Sequence, residues 1–165
     1  MPKITIRKAA GEQDIAAVRL LMLEYGRHLA ANPSGAASIC LTGHDQELER
    51  LPQGYIVIFL AEVDDCPAGC VALRAIEHPE AACEMKRLWV GSSFRGLRLG
   101  RRLVEEAILW AEFHGFGSMY LDTVPAAMPE ANQLYARLGF LPVERYNENP
   151  IDGVAFFCRP LGSVR

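Results

Sequence analysis

Arg87-Leu88-Trp89-Val90-Gly91-Ser92-Ser93-Phe94-Arg95-Gly96-Leu97-Arg98-Leu99-Gly100-Arg101-Arg102-Leu103 is the stretch that decides the fold. Leu88, Trp89 and Val90 are strand formers, and Gly91-Ser92-Ser93 ends the strand. From Leu99 onward, apolar residues recur at Leu103, Ala107 and Trp110, with a second row at Val104, Ile108 and Ala111. That is the period of a helix with one buried face. Gly96 and Gly100 flank the first turn of this helix, and Arg95, Arg98, Arg101 and Arg102 surround it, with no acid until Glu105. A helix N-terminus presents unpaired N–H groups and the positive end of the helix dipole, which suits a phosphate. Glycines let an anion approach the backbone and arginines add bidentate donors. The alternative is an ordinary strand–turn–helix with a solvated basic turn.

The spacing excludes two familiar phosphate loops. A P-loop requires G-x-x-x-x-G-K-[ST], whereas here three residues separate Gly96 from Gly100 and Arg101 follows. The dinucleotide fingerprint G-x-G-x-x-G is absent.

At 165 residues the chain is expected to form one domain, residues 1–165. Half of the residues are hydrophobic and 22% are charged, as in ordinary globular proteins. A net charge of −3 argues against a general nucleic-acid binder, and the local basic cluster suits a small anionic ligand better. No apolar run approaches the ~18 residues of a membrane span, and Met1 to Arg7 lacks the apolar stretch of a signal peptide. A cytoplasmic protein without membrane or nucleic-acid partners is expected. Five cysteines, at 40, 66, 70, 83 and 158, are odd in number and irregular in spacing, and no His or Cys pair completes a zinc set. They read as thiols in a reducing compartment, and no metal site is expected.

Taken in order, Ile4 to Arg7 predicts a strand, and Asp14 caps a helix carrying Ile15, Val18, Met22, Tyr25 and Leu29. Asn32-Pro33-Ser34-Gly35 ends it, and Gln46 to Leu51 gives a short second helix. Tyr55 to Val63 and Gly69 to Ile76 predict a hairpin turned by Asp64-Asp65-Cys66-Pro67. Cys83 to Val90 is a further strand, followed by a helix over residues 98–114 and a strand from Ser118 to Thr123. Ala131, Leu134, Tyr135 and Leu138 predict the buried row of another helix, with Gly139 as its C′ residue. Leu141 to Tyr146 and Val154 to Cys158 complete the strands. This order predicts α/β (α+β) layering on one mixed sheet.

The basic turn resembles the acetyl-CoA pyrophosphate loop of the GNAT superfamily of N-acetyltransferases, [Q/R]-x-x-G-x-[G/A] after a strand ending L-x-V. Arg95 fills the first position and Gly100 the last, while Arg98 replaces the middle glycine. Leu134-Tyr135-Ala136-Arg137-Leu138-Gly139-Phe140 resembles the family's L-Y-x-x-x-G-F, with Ala131 as the preceding alanine, and Met128 stands where many members carry a cofactor-contacting asparagine. A closer likeness is to a branch with E-M-K-R-L-[YW]-V, L-D-T and Y-x-x-N-P, here Glu84 to Val90, Leu121-Asp122-Thr123 and Tyr146 to Pro150.

The resemblance implies a GNAT fold, a central mixed and mostly antiparallel sheet flanked by helices. It implies acetyl-CoA as acyl donor, bound by Leu88, Trp89, Val90, Arg95, Gly96, Leu97, Arg98, Leu99, Gly100 and Arg101. The reaction implied is direct acetyl transfer to a primary amine in a ternary complex. Tyr135 would protonate the departing thiolate, and Glu84, or else Asp122, would serve as base; the bland reading of each is a core tyrosine and solvated surface carboxylates. The strand end at Leu88 to Val90 would offer backbone donors to the acyl carbonyl. No histidine is assigned to chemistry. The acceptor is unspecified, and a homodimer through the sheet edge or the C-terminal strands is left open. The rivals are a non-catalytic acyl-CoA-binding regulatory module of the same fold and a nucleotide-binding protein using the same turn for ATP or NAD.

Overall fold

The computed structural model describes residues 1–31 and 37–162, with the side chains of 37–42 left out of the description. Its elements are β1 (Ile4–Lys8), α1 (Gly11–Ala30), α2 (Ala37–Arg50), β2 (Val57–Val63), β3 (Cys66–Ile76), β4 (Ala82–Val90), α3 (Leu99–Phe113), β5 (Ser118–Thr123), α4 (Pro129–Arg137), β6 (Leu141–Val143) and β7 (Ala155–Pro160). The expected order of elements holds along the chain. The expected Asn32 to Gly35 helix end lies outside the described residues.

The strands form one sheet in the order β1-β2-β3-β4-β5-β7-β6. Every neighbouring pair is antiparallel except β4 and β5. That parallel pairing covers only Ala82–Glu84 against Ser118–Tyr120. Beyond it, the rest of β4 continues along β3 while β5 continues along β7, so the sheet opens at its centre.

Both faces of the sheet are covered. On one, Leu103, Val104, Ala107 and Ile108 of α3 pack with Val71, Met85, Leu88 and Tyr135. On the other, Val18, Leu21 and Met22 of α1 and Leu48 of α2 pack against Ile58, Leu60 and Trp89. The two apolar rows read for α3 are the buried ones, Leu99, Leu103, Val104, Ala107, Ile108 and Ala111.

Several boundaries differ from expectation for local reasons. Asp14 is not the N-cap of α1; the helix begins at Gly11, and the Asp14 carboxylate accepts from the Ala10 amide at 2.8 Å while Arg7 donates to both its oxygens. α2 begins well before Gln46. The β2–β3 hairpin needs only Asp64 and Asp65, both at positive φ (49° and 66°), so Cys66 and Pro67 belong to β3. β6 stops at Val143 because residues 144–153 leave the sheet to wall the site. In α4 only Tyr135 of the expected row is fully buried, with Ala131, Leu134 and Leu138 half-covered.

β4 carries an extra residue. Ala72 pairs with Lys86 and Cys70 with Trp89, so Arg87 and Leu88 together oppose Val71, a β-bulge with Arg87 at φ 62°. Close by, β3 approaches the end of β4 so tightly that a Cβ on Gly69 would lie 2.8 Å from the Trp89 carbonyl oxygen and 3.2 Å from a Leu103 methyl. Arg98, at the N-cap of α3, is held at φ 59° and ψ 27°, the left-handed conformation that glycine adopts at no cost.

Two substitutions test this backbone. Gly69→Ala is expected to lower stability by about 2 kcal/mol, read in denaturant or thermal unfolding, because neither contact partner has room to give; a neutral effect would contradict the close approach. Arg98→Gly should raise the melting temperature, by the equivalent of up to about 1 kcal/mol, whereas Arg98→Val should lower it. A glycine variant melting below the valine variant would contradict the left-handed backbone.

Candidate active site

The opening between β4 and β5 separates two cavities. The first, about 380 Å³, is bounded by the end of β4, the basic turn and the N-termini of α3 and α4. Of the ten residues expected to bind cofactor, Leu88, Trp89, Val90, Arg95, Gly96, Arg98, Leu99 and Gly100 line it. Leu97 and Arg101 do not: Leu97 packs into the small cluster of Val63, Ala68 and Leu99, and the Arg101 guanidinium turns along the helix to Glu105 at 2.8 Å. Trp89 is held from three sides, its indole N–H donating to Glu24 at 3.1 Å, the Arg95 guanidinium 5.2 Å over its ring and the His28 ring 5.1 Å away.

The turn end of this cavity has the chemistry of an anion site. No side chain caps α3, its first turn holds no acid, and Arg95 and Arg98 stand at its mouth. Toward the sheet the lining becomes apolar, with Leu88, Met128, Ala131 and Leu134. An anion-accepting end and a largely apolar channel fit a ligand built as a pyrophosphate with an apolar-tolerant arm. His28 was not legible as part of this wall, because a lone histidine on a helix carries no ligand spacing. Its ring nitrogen Nε2 meets the Ala127 carbonyl oxygen at 3.0 Å and so ties α1 to the β5–α4 loop.

The second cavity, about 410 Å³, lies on the α1–α2 side and is walled by the loop around Asn147 to Ile151. Arg74, Lys86, Arg87 and Asp122 project into it. That neighbouring Lys86 and Arg87 both reach one cavity follows from the bulge, since a regular strand sends consecutive side chains to opposite faces. Arg87 donates to both oxygens of Glu47 at 2.9 and 3.1 Å and lies over the Tyr25 ring, 5.8 Å from its centre. Burial works against the Glu47 carboxylate, but His44 and Arg87 outweigh it and hold its pKa well below the usual range. His44 is buried and its Nε2 donates to the Met22 carbonyl at 2.7 Å.

The two candidate bases differ in exposure to these spaces. Glu84 is fully buried, lines neither cavity, and has both oxygens engaged. Oε1 accepts from Arg74 Nε at 2.6 Å, and Oε2 accepts from the Tyr146 hydroxyl and from Asn147 Nδ2 at 3.2 Å. Asp122 lines the second cavity and accepts from Lys86 at 3.1 Å, Asn147 at 2.7 Å and Asn149 at 3.2 Å. Burial opposes ionisation of Asp122, yet Lys86 and the two asparagine amides prevail and hold its pKa below the ordinary carboxylate value. Asn147 and Asn149 also shape the wall, each side-chain oxygen accepting the backbone N–H two residues on.

A neck of about 30 Å³, bordered by Tyr135, shares Leu88 and Met128 with the lining of the first cavity and Lys86, Arg87, Asp122 and Met128 with that of the second. Burial pushes the Tyr135 phenol well above its ordinary pKa. Among the described residues, none hydrogen-bonds its hydroxyl. Cys70 and Cys83 are buried thiols pushed up to about 12 by that burial, Cys66 is exposed, and no cysteine or serine of the described residues lines either cavity or the neck. No group of three or more His, Cys, Asp or Glu among the described residues is arranged to hold a metal ion, and no described helix is long and apolar enough to cross a membrane.

The sequence and this architecture both have relatives. The family model described as Acetyltransferase (GNAT) family matches residues 23–140. An uncharacterised N-acetyltransferase of Schizosaccharomyces pombe is 33% identical over 93% of this chain and 92% of its own. An IAA acetyltransferase of Azospirillum brasilense is 30% identical over 98% of this chain and 100% of its own. Among solved structures, a GNAT-family acetyltransferase of Staphylococcus aureus superimposes with a TM-score of 0.74 at 17% identity, covering 97% of this chain and 100% of that one. A GNAT-family N-acetyltransferase of Escherichia coli, determined in complex with CoA, gives 0.66 at 21% identity, covering 98% and 83%. With the open β4–β5 seam and the matching motifs, these likenesses make the chain a member of the GNAT family of acetyltransferases, acyltransferase enzymes that use an acyl-CoA and an acceptor.

Proposed function

We propose that the protein transfers the acetyl group of acetyl-CoA to a primary amine by direct attack, donor and acceptor held together in one ternary complex. The neck carries this reading. Two cavities of similar size, one with an anion-accepting end and one walled by polar groups, meet where Leu88, Tyr135 and Asp122 converge. Direct transfer needs two reactants brought into contact without a covalent relay, and the absence of cysteine and serine from the lining of the described residues supports that route.

Acetyl-CoA would supply the acyl group already activated as a thioester. Arg95, Arg98 and the uncapped start of α3 bind its anionic end, and the edge of β4 left unpaired beyond Glu84 offers backbone groups toward the acyl carbonyl. Tyr135 is the proton donor to the leaving sulfur: its raised pKa keeps it protonated at neutral pH, and no described group competes for its hydroxyl. Asp122 is the carboxylate that faces the acceptor, held ionised by its lowered pKa, and it receives the proton that the amine sheds as it attacks, while Tyr135 gives one to the sulfur. Glu84 sits behind it as a positioning group for Arg74 and Lys86.

Thermal unfolding with acetyl-CoA, CoA, ATP and NAD at matched concentrations tests the donor. A ligand at a hundredfold excess over its Kd adds about 2.7 kcal/mol, which for a domain of this size is a rise of roughly 5–10 °C. Both CoA species should give that rise and NAD should not; no response to CoA would remove the anion-site assignment. With an acceptor found by screening for thiol release, Tyr135→Phe should lower kcat by about a hundredfold or more while the CoA-induced rise stays at the wild-type value. Normal turnover by that variant would remove Tyr135 as the acid.

A further inference from the structure

The acceptor-side cavity is asymmetric in what it leaves unmatched. Its carboxylates are largely occupied: Asp122 by Lys86 and two asparagines, and, just behind the wall, Glu84 and Glu47 by Arg74 and Arg87. One cation is not. Arg74 stands opposite Glu84 in the β3–β4 register and donates only its Nε, to Glu84 Oε1 at 2.6 Å. Its two terminal NH₂ groups have no hydrogen-bond partner among the described residues, the side chain is 44% exposed, and it lines the cavity.

The orientation of this guanidinium is fixed from behind. Glu84 has no exposed surface and is itself anchored through its other oxygen by Tyr146 and Asn147, so the acid cannot swing with the arginine. A planar guanidinium whose Nε is tied to a buried carboxylate presents its remaining donors as a fork, the shape that matches a carboxylate. We propose, building on the acyltransferase reading above, that the acceptor carries a carboxylate beside its amine and that the free fork of Arg74, seconded by Lys86, is where that carboxylate binds.

The rest of the wall agrees with an amino-acid-like acceptor. Glu148, exposed at the rim, is the carboxylate lining the cavity that has no partner among the described residues, so the cavity offers one open cation and one open anion. A polyamine would bring several ammonium groups against Arg74, Lys86 and Arg87 with only Glu148 to receive them. At about 410 Å³ the cavity is of small-molecule size.

The test uses the full chain with acetyl-CoA and follows thiol release. The probes are the proteinogenic amino acids with β-alanine and γ-aminobutyrate, the C-terminal amide of each, and spermidine. At least one free acid should exceed its own amide by about tenfold or more in kcat/KM, the loss expected when a charged hydrogen-bond partner is removed. Arg74→Gln should bring that acid-to-amide ratio close to one, chiefly through KM, and Arg74→Lys should restore part of it. Because Arg74→Gln strands a buried charge on Glu84, the double variant Arg74→Gln/Glu84→Gln is measured alongside and should show the same lost preference. Amides used as well as acids, spermidine used best, no free acid used at all, or a ratio unchanged by Arg74→Gln would each overturn the carboxylate assignment. Melting in CoA, run in parallel, separates this from the function itself: a retained CoA-induced rise keeps the acyltransferase reading when the acid preference fails, and a lost one removes both.

Discussion

One inserted residue in β4 governs most of this site. Alternation along Glu84-Met85-Lys86-Arg87-Leu88-Trp89-Val90 would send Met85, Arg87 and Trp89 to one face and Lys86, Leu88 and Val90 to the other. That arrangement buries an arginine under α3 and removes Leu88 from it. The bulge resets the phase, so that Met85 and Leu88 share the α3 core while Lys86 and Arg87 both reach the second cavity and Trp89 meets α1. The cost is a left-handed Arg87, about 1–2 kcal/mol for a residue with a side chain. The two-point pairing of Arg87 with Glu47 and its position over Tyr25 offset it, and they also fasten α2 to the sheet.

The second half of the constraint is electrostatic. A fully buried Glu84 is tolerated only because Arg74, Tyr146 and Asn147 satisfy it, and Lys86 lies within 3.7 Å. Removing any one partner from such a group costs more than the pair contributes, since it leaves a charge or donor unmatched in a place water does not reach. The network spans β3, β4, β5 and the loop after β6, which explains why that loop leaves the sheet early. Its backbone is folded inward by the Asn147 and Asn149 turns, and its side chains complete the shells of Glu84 and Asp122.

Much of this was legible in the chain and some was not, for physical reasons. The strand, basic turn and helix around residues 87–103 were readable because apolar period and glycine placement are local signals. The bulge was not, because a strand with an extra residue has the same composition as one without. Glu84 reads as a surface carboxylate in isolation, the commonest fate of its type; only the cross-strand register with Arg74 and the return of Tyr146 and Asn147 over 62 and 63 residues bury it. α2 was half-legible because its first turn offers neither a cap nor a clear apolar row. The two asparagines of the Tyr146 to Pro150 segment could be matched to a pattern, but their task, shaping a wall and feeding two carboxylates, appears only in three dimensions.

The two departures from the family pattern, at Arg98 and Met128, are of different kinds. Arg98 departs in side chain only. Its backbone takes the conformation a glycine would give, at φ 59°, so the geometry of the turn is kept while a cation is added at the cavity mouth. Met128 departs in chemistry. It is the N-cap of α4 without a capping side chain, its carbonyl accepts from Asn132 at 2.8 Å, and it lines both cavities and the neck. The nearby Asn132 commits its Nδ2 to Thr123 at 3.0 Å as well as to that carbonyl, while its Oδ1 is buried without a partner among the described residues. Met128, Ala131 and Leu134 give the α4 side of the channel an apolar stretch beside Glu130, and the open seam leaves β4 beyond Glu84 and β5 beyond Tyr120 unpaired with each other.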